Sequence, residues 1–461
     1  MEVPECPGCR ERDARIAALE ARILALEAQV RDLIDKLKPP AARAQTPQPP
    51  APAKKPTGKK PGAQPGHPPQ MKTLAPPERV DRVVAYVPQV CMKCDQPLPA
   101  KAGAEDPEPK RHQVAELPPV MVQITEHQAH GRTCPCCGEV TWATIPAEVR
   151  AYSVGPKFTG FMGLLAGVHG VSKRGIEELM EQAFDVSIAL GTVSNREQEL
   201  SEALRPAHEE ARQAIASADV KHADETGWKE AGKKRWLWVA AIQSVAYFVI
   251  HPCRNLSALK RLVGETFHGI LCSDRWCVYD EWPSGRRQLC WAHLKRNWES
   301  QVERGGAAKR VGEAWLSLQG QVFELWHRFK AKQCTRRELG DQMAPLMLAM
   351  LEVLWSGRRS RDRVLVRFCE RLAESYGDAW TFVVKEGVEP TNNHAERVLR
   401  RAVLWRRRSF GCHSADGCRF VERILTVTQT LRQQKRSVLT FLSEAIQAHR
   451  AGTTAPRLVI G

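Results

Sequence analysis

At 461 residues the chain exceeds what one hydrophobic core serves, and its formal charge of +16 suits partners that are polyanions, nucleic acid or an anionic surface, unless it is merely a soluble basic protein. No stretch nears the ~20 uninterrupted apolar residues of a membrane span, and the polar, mixed-charge start Met1–Arg12 is unlike a signal peptide, so a cytoplasmic, DNA-facing protein with no membrane partner is expected. The 15 cysteines, several in C-x-x-C pairs, favour metal sites over disulfides in a reducing compartment.

Ile16, Leu19, Ile23, Leu26, Val30, Leu33 and Leu37 recur at alternating three- and four-residue steps, β-branched residues mostly at the first position and Leu at the second. This is the preference of a parallel two-stranded coiled coil, so residues 1–38 read as a zipper helix that makes a homo-oligomer, with packing on the chain's own core as the alternative. Cys6 and Cys9 form a C-x-x-C pair without a nearby partner, and two zipped copies could pool four thiolates. Residues 39–80 read as an extended basic linker: between Pro39 and Gln70 eleven residues are proline and none is acidic, while Lys54, Lys55, Lys59 and Lys60 add charge.

Residues 81–145 carry Cys91-Met-Lys-Cys94 and, beyond an apolar patch at Val120, Val122 and Ile124, Cys134-Pro-Cys-Cys137-Gly138. Two such knuckles make one tetrahedral structural Zn²⁺ site of Cys91, Cys94, Cys134 and Cys137, against the alternative of free thiols. Cys136 could replace a neighbour as ligand, although the Cys-Pro-x-Cys-Gly form gives Cys134 and Cys137 the knuckle spacing.

Residues 146–206 read as a helix-turn-helix. Ile176, Leu179, Met180, Ala183 and Phe184 share one helical face, Asp185-Val186-Ser187 breaks it, and a second helix starts near Leu190. On that helix Val193, Leu200 and Leu204 face inward, while Thr192, Asn195, Arg196 and Glu199 point out, where a DNA groove could be read. Residues 207–298 then place strands at Val220–Asp224, Trp236–Ile242 and Ala246–His251, a turn at Gln243-Ser244, a helix at about Asn255–Val263 and an apolar run Gly269–Cys272, with acids at two strand ends. Residues 299–389 read as a helical insertion, with Val311, Trp315, Leu318, Val322, Leu325 and Phe329 on one face, and residues 390–461 return to the core with C-terminal helices.

In-line phosphodiester cleavage needs divalent ions held a few ångströms apart, and hard Mg²⁺ wants a few well-placed carboxylates. The chain offers Asp224 in His-Ala-Asp-Glu-Thr-Gly-Trp, Asp274 in Cys-Ser-Asp-Arg-Trp and Glu396 in Thr-Asn-Asn-His-Ala-Glu-Arg-Val-Leu-Arg-Arg. Taken singly, each is one among 52 acidic residues, and their ordered surroundings set them apart. Glu225 is left out of the metal set, because successive strand residues point to opposite faces. Arg397, Arg400 and Arg401, with Arg406, Arg407 and Arg408, crowd the stretch behind Glu396 and suit a phosphate-gripping surface, a solvated basic helix being the bland reading.

At these residues the sequence resembles the insertion sequence 66 family of bacterial transposases, whose acids sit in Asp-Glu-Thr, Ser-Asp and Asn-Asn-x-Ala-Glu-Arg contexts. The resemblance implies a multidomain α+β chain: coiled coil, zinc-knuckle domain, helix-turn-helix, and a ribonuclease-H-like α/β catalytic core with a helical insertion. It implies Asp224, Asp274 and Glu396 as ligands of Mg²⁺ or Mn²⁺, and places Cys290-Trp-Ala-His293 at the family's Cys-x-x-His position, where structural support is favoured over zinc binding. The implied partner is double-stranded DNA, both terminal inverted repeats and target, with companion transposition proteins in many such elements and the nucleoid as location. The implied reaction is hydrolysis at transposon ends, then attack of the freed 3′-hydroxyl on target DNA without a covalent protein–DNA intermediate. Two rivals stand beside it: a zinc-bearing DNA-binding regulator on a dead nuclease fold, and a metal-dependent nuclease that cuts without joining.

Overall fold

The computed structural model describes residues 74–460 except 102, 104, 105 and 119; the zipper heptads, Cys6, Cys9 and the linker up to Thr73 lie outside the described residues. The chain divides into two units, Met1–Glu116 and Leu117–Gly461. In the described part of the first, a 3-10 turn at Pro77–Arg79 is followed by irregular chain with a turn at 92–94 closed by a Val90–Pro97 bridge. Gln113 fastens its start: the Ala75 N–H donates to Gln113 Oε1 at 2.7 Å, and Gln113 Nε2 donates to the Ala75 carbonyl at 3.0 Å.

The second unit opens with a two-stranded antiparallel ribbon, β1 (Gly131–Thr133) and β2 (Val140–Trp142). Gly131 lies opposite Trp142 in this register, and a Cβ there would meet the indole at 3.1 Å, so a larger residue would require the exposed ring to shift by a few tenths of an ångström. Helices α1 (Ala147–Arg150), α2 (Pro156–Leu164), α3 (Lys173–Phe184), α4 (Leu190–Ala203) and α5 (Arg205–Ser217) follow. Ser172 caps α3 by accepting the Gly175 N–H, and Asp185 ends it in the left-handed conformation, so the predicted break falls at a true stop signal.

A five-stranded mixed sheet of order β5-β4-β3-β6-β7 forms the centre. Strands β3 (Val220–Glu230), β4 (Lys233–Ala241) and β5 (Ala246–His251) pair antiparallel, whereas β6 (Ile270–Ser273) and β7 (Arg287–Leu289) add in parallel. Helix α6 (Leu256–Val263), capped by Asn255, crosses between β5 and β6. The strand period of two sorts β4 between two cores. Trp238 and Ala240 join Tyr247 and Val249 against α5 and α6, while Leu237, Val239 and Ala241 join Phe248 on the other face. That second face is covered by Ala395, Val398, Leu399 and Ala402 of α12 (Asn393–Ser409) and by Val421 and Leu425 of α13 (Ala415–Gln433). The final helix, α14 (Val438–Ala451), packs on α2 and α4.

Strand β5 is an edge, and α13 closes it. Glu422, Thr426 and Thr430 recur every four residues along one side of the helix and accept the N–H groups of Ile250, Phe248 and Ala246, which recur every two along the strand. Helical and strand periods thus match, and buried donors that would be orphaned or template another chain are satisfied. Thr426→Val keeps the side-chain volume but leaves the Phe248 N–H without its 3.0 Å partner, an expected loss of about 1–3 kcal/mol in urea unfolding. An unchanged midpoint would show the contact to be dispensable.

A third core is helical and rich in tryptophan. Helices α7 (Trp291–Glu303), α8 (Gly306–Lys330), α9 (Arg336–Arg358), α10 (Arg363–Glu374) and α11 (Thr381–Val384) enclose Trp291, Trp298, Trp315, Trp326 and Trp380, with Trp298 and Trp315 stacked at 5.0 Å. The face predicted for α8 does turn inward: Trp315 and Val322 are buried, and Val311, Leu318, Leu325 and Phe329 pack against them. Thr335 and Glu338 form a capping box on α9, and Asp362 caps α10.

Candidate active site

The three acids predicted to act together arrive on three elements. Asp224 lies on β3, which does not end there as its sequence suggests but runs on to Glu230, because β4 continues to pair with it through Lys233. What ends near Asp224 is the parallel ladder to β6, whose last pair is His222↔Cys272. Carrying that offset two residues further sets Asp224 beside Asp274, immediately after β6. Asp274 is held in an Asx turn, its Oδ1 accepting the Trp276 N–H at 2.9 Å.

Glu396 enters in the first turn of α12. Asn392, buried just before that helix, fixes the entry: its Nδ2 donates to the Ala223 carbonyl at 2.7 Å, its Oδ1 meets His222 Nδ1 at 3.1 Å, and its backbone N–H points at Cys290 Sγ at 3.1 Å. One amide side chain thus ties the third acid's helix to the residue before Asp224. The sequence reading gave Asn392 no role; the asparagine doublet ahead of Ala-Glu-Arg was the available signal. Further along α12, Arg406 donates to Thr226 Oγ1 at 2.8 Å and to the Gly227 carbonyl, locking the helix along β3.

Electrostatics follow from this convergence. Burial, then the charges of Glu225, Asp274 and Glu396, push the Asp224 carboxyl up to about 8. Carboxylates gathered this way repel one another, and an all-oxygen donor set of this kind fits a hard divalent cation, which would reverse the repulsion. Glu396 Oε1 also lies 3.3 Å from the cationic Arg296 Nη2 and 3.4 Å from His293 Nδ1.

Glu225, excluded from the metal set for its strand direction, has a buried side chain and partners of its own. Its carboxylate accepts from Arg254 and from the Tyr279 hydroxyl, and the Arg254 guanidinium lies 3.8 Å from the Trp276 ring centroid. Burial holds Glu225 above the usual carboxylate range and Tyr279 well above the usual phenol range. Arg254 and Tyr279, absent from the sequence reading, brace the loop that carries Asp274.

Cys290 closes β7 as the N-cap of α7, and His293 lies in the helix's first turn. Burial pushes the Cys290 thiol up, while backbone N–H groups of Asn392, His293 and Ala292 pull it down. Burial and Arg296 together lower His293.

The two cysteine knuckles, each within its own unit, share one backbone form. The Cys91 N–H donates to the Gln96 carbonyl, as that of Cys134 does to Glu139. Asp95 N–H donates to the Cys91 carbonyl and Gly138 N–H to that of Cys134, both donors at positive φ. Backbone N–H groups two and three residues on lower the thiols of Cys91 and Cys134. By this equivalence Cys137 corresponds to Cys94, and Cys136 to the intervening Lys93.

The outward direction predicted for Arg196 and Glu199 on α4 needs correction. Asn195 is exposed and Thr192 half-buried. The Arg196 side chain is only 15% exposed, ion-paired with Glu199 at 2.8 Å and over the Tyr152 ring; Glu199 is also held by Arg450 of α14 at 2.7 Å. Packing of α14 against α4 turns a face that looks solvated in sequence into an internal charge cluster. Arg397, Arg400 and Arg401 do line the outer side of α12, exposed and without an ion pair among the described residues. Arg401 and Arg408 border a cavity of about 230 Å³ together with Trp405, Leu404 and the turn at Gly167–Gly170.

A mixed sheet clasped by helices carries the three acids beside its parallel strands, and an arginine-rich helix runs on from the third. Comparison with protein families matches residues 167–419 to the transposase IS66 family, and the chain belongs to that family. Membership implies action on DNA with a divalent metal. The match spans the region from just after α2 into α13 and holds all three acids; the knuckles lie before it. A search of curated proteins finds no match to the chain. Among the described residues, no helix is long and apolar enough to cross a membrane.

Proposed function

We propose that this transposase-family chain binds transposon ends, cuts them and joins them to target DNA, with Asp224, Asp274 and Glu396 as ligands of Mg²⁺ or Mn²⁺. The observation that carries the reading is the convergence itself: acids far apart in sequence lie close enough that Asp224 feels the charges of both others. Strand order supports a ribonuclease-H-like core, in which three antiparallel strands continue into two parallel ones. Bound divalent ions would activate the attacking water or 3′-hydroxyl and stabilise the leaving oxygen. The chain's own part is to hold the three carboxylates on rigid elements, through the β3–β6 register, the Asx turn and Asn392, and to grip flanking phosphates with Arg397, Arg400 and Arg401. The decisive experiment is strand transfer from a labelled transposon end: cutting without joining favours the nuclease reading, and binding without either favours the regulator.

In the same reading α3 and α4 form the helix-turn-helix, with Thr192 and Asn195 the outward candidates for DNA contact. The arginine face of α12 supplies phosphate contacts. Arg400→Ala is therefore expected to weaken binding alike across DNA sequences and to flatten the salt dependence of affinity by about one unit of log–log slope. A slope equal to wild type would return this face to plain solvation.

Cys91, Cys94, Cys134 and Cys137 are proposed to hold one structural Zn²⁺. The shared knuckle geometry and the N–H groups that favour thiolate at Cys91 and Cys134 support this. Freshly purified, reduced protein should contain zinc, and metal analysis finding none would remove the proposal. Self-association through residues 1–38 and the involvement of companion proteins complete the proposed assembly.

A further inference from the structure

Beside the third acid lies a donor set of a different kind. Cys290 Sγ, a His293 ring nitrogen and a Glu396 carboxylate oxygen all lie within 4.8 Å of one another. His293 Nδ1 and Glu396 Oε1 stand 3.4 Å apart. Two nitrogen or oxygen ligands at 2.0–2.1 Å on a tetrahedral zinc are separated by about 3.3 Å, so this gap already suits a shared ion. His293 Nδ1 is buried with no hydrogen-bond partner, an orphan lone pair or proton that a metal would satisfy.

Local structure prepares the other two donors. Cys290 is 1% exposed at the N-terminus of the 13-residue helix α7, where the Asn392 N–H aims at its sulfur at 3.1 Å and fixes its position. His293 follows three residues on in the same helix, so Cys and His share one rigid frame. Arg296, which donates to Glu396 at 3.3 Å, is 58% exposed, so the solvent borders this side of the cluster.

We propose that Cys290, His293 and Glu396 form a metal centre with a mixed sulfur, nitrogen and oxygen donor set that takes a borderline ion of the Zn²⁺ or Co²⁺ type. Thiolate and imidazole select against Mg²⁺, so this centre differs in chemistry from the carboxylate pair Asp224 and Asp274. Three protein ligands leave the fourth position to water. Sequence alone favoured structural support over zinc binding for Cys290 and His293; bound there, the ion would fix the Glu396 carboxylate in orientation. The centre does not require Asp224 and Asp274 to bind metal, and it is tested by spectroscopy rather than by DNA cutting.

The experiment is Co²⁺ titration of the full-length, reduced protein as purified, its zinc left in place, followed by absorbance in the near ultraviolet and visible. Wild type is expected to develop a sulfur-to-cobalt charge-transfer band that saturates at one sulfur-bound Co²⁺ per chain, Co²⁺ on the carboxylates adding no such band, and Asp224→Asn should retain it. Cys290→Ser should lose the band, and His293→Gln should bind at least about tenfold more weakly. The same band and stoichiometry in Cys290→Ser as in wild type overturn the proposal. Should thermal melting show that Cys290→Ser does not fold, His293→Gln decides: wild-type Co²⁺ affinity in that variant equally overturns it.

Discussion

Asp274→Asn is expected to lose cutting of a labelled transposon end by about a thousandfold or more, while fold and DNA binding persist. The amide lacks the negative charge that a hard cation needs, yet it keeps an Oδ1 that can accept the Trp276 N–H at 2.9 Å, so the Asx turn survives. It also removes one of the charges that raise Asp224, and the variant should melt no lower than wild type in the absence of divalent ions. Asp274→Cys sharpens the test: a thiolate is a poor ligand for Mg²⁺ and a better one for Mn²⁺, so activity lost in Mg²⁺ should return in part with Mn²⁺. Cutting by Asp274→Asn at the wild-type rate would remove Asp274 from the metal set and with it the triad.

The second large effect is a pH dependence of stability centred on Asp224. Its carboxyl lies at about 8 in the folded chain against an ordinary value of 3.8, so the folded state binds this proton more tightly than the unfolded state does. In buffer without divalent ions, the resulting stability is fully present below about pH 4 and lost as pH rises through about 8. Buried His208 and His222, both lowered to about 4 chiefly by burial, act with the opposite sign. They take up protons only in the unfolded state as pH falls below about 6.5, which leaves pH 6.5–8 as the window in which Asp224 can be seen. On going from pH 8 to 6.5, wild type should gain about 1–2 kcal/mol relative to Asp224→Asn, and Mg²⁺ added at pH 8 should stabilise wild type far more than the variant. Parallel pH profiles for the two proteins would show that Asp224 is neither held buried nor set among unneutralised carboxylates.

Much of the site was legible because its chemistry is carried in short local motifs. The identities and order of Asp224, Asp274 and Glu396 needed only their surroundings, and β4, β5, α6 and the inward face of α8 followed from periodicity. Errors came where a partner distant in sequence decides the outcome. Nothing within α4 reveals that α14 will cover it, so Arg196 looked free when Arg450 and Tyr152 enclose its neighbourhood. The end of β3 was misjudged because Asp224 and its followers are polar, and only pairing with β4 keeps them in the sheet.

The sequence by itself determined the donor types, the family to which residues 167–419 belong, and the segments able to become strand or helix, since these depend on residue identity and on spacing within a few residues. Tertiary structure decided what depends on distance. The β3–β6 register sets Asp224 beside Asp274, and Asn392 bridges Ala223 and Cys290 to bring in Glu396. The same folding lays Cys290 and His293 against that carboxylate, giving Glu396 neighbours of two chemistries. Coulombic repulsion and ligand geometry vary over ångströms, and a linear pattern fixes ångströms only along its own helix or strand.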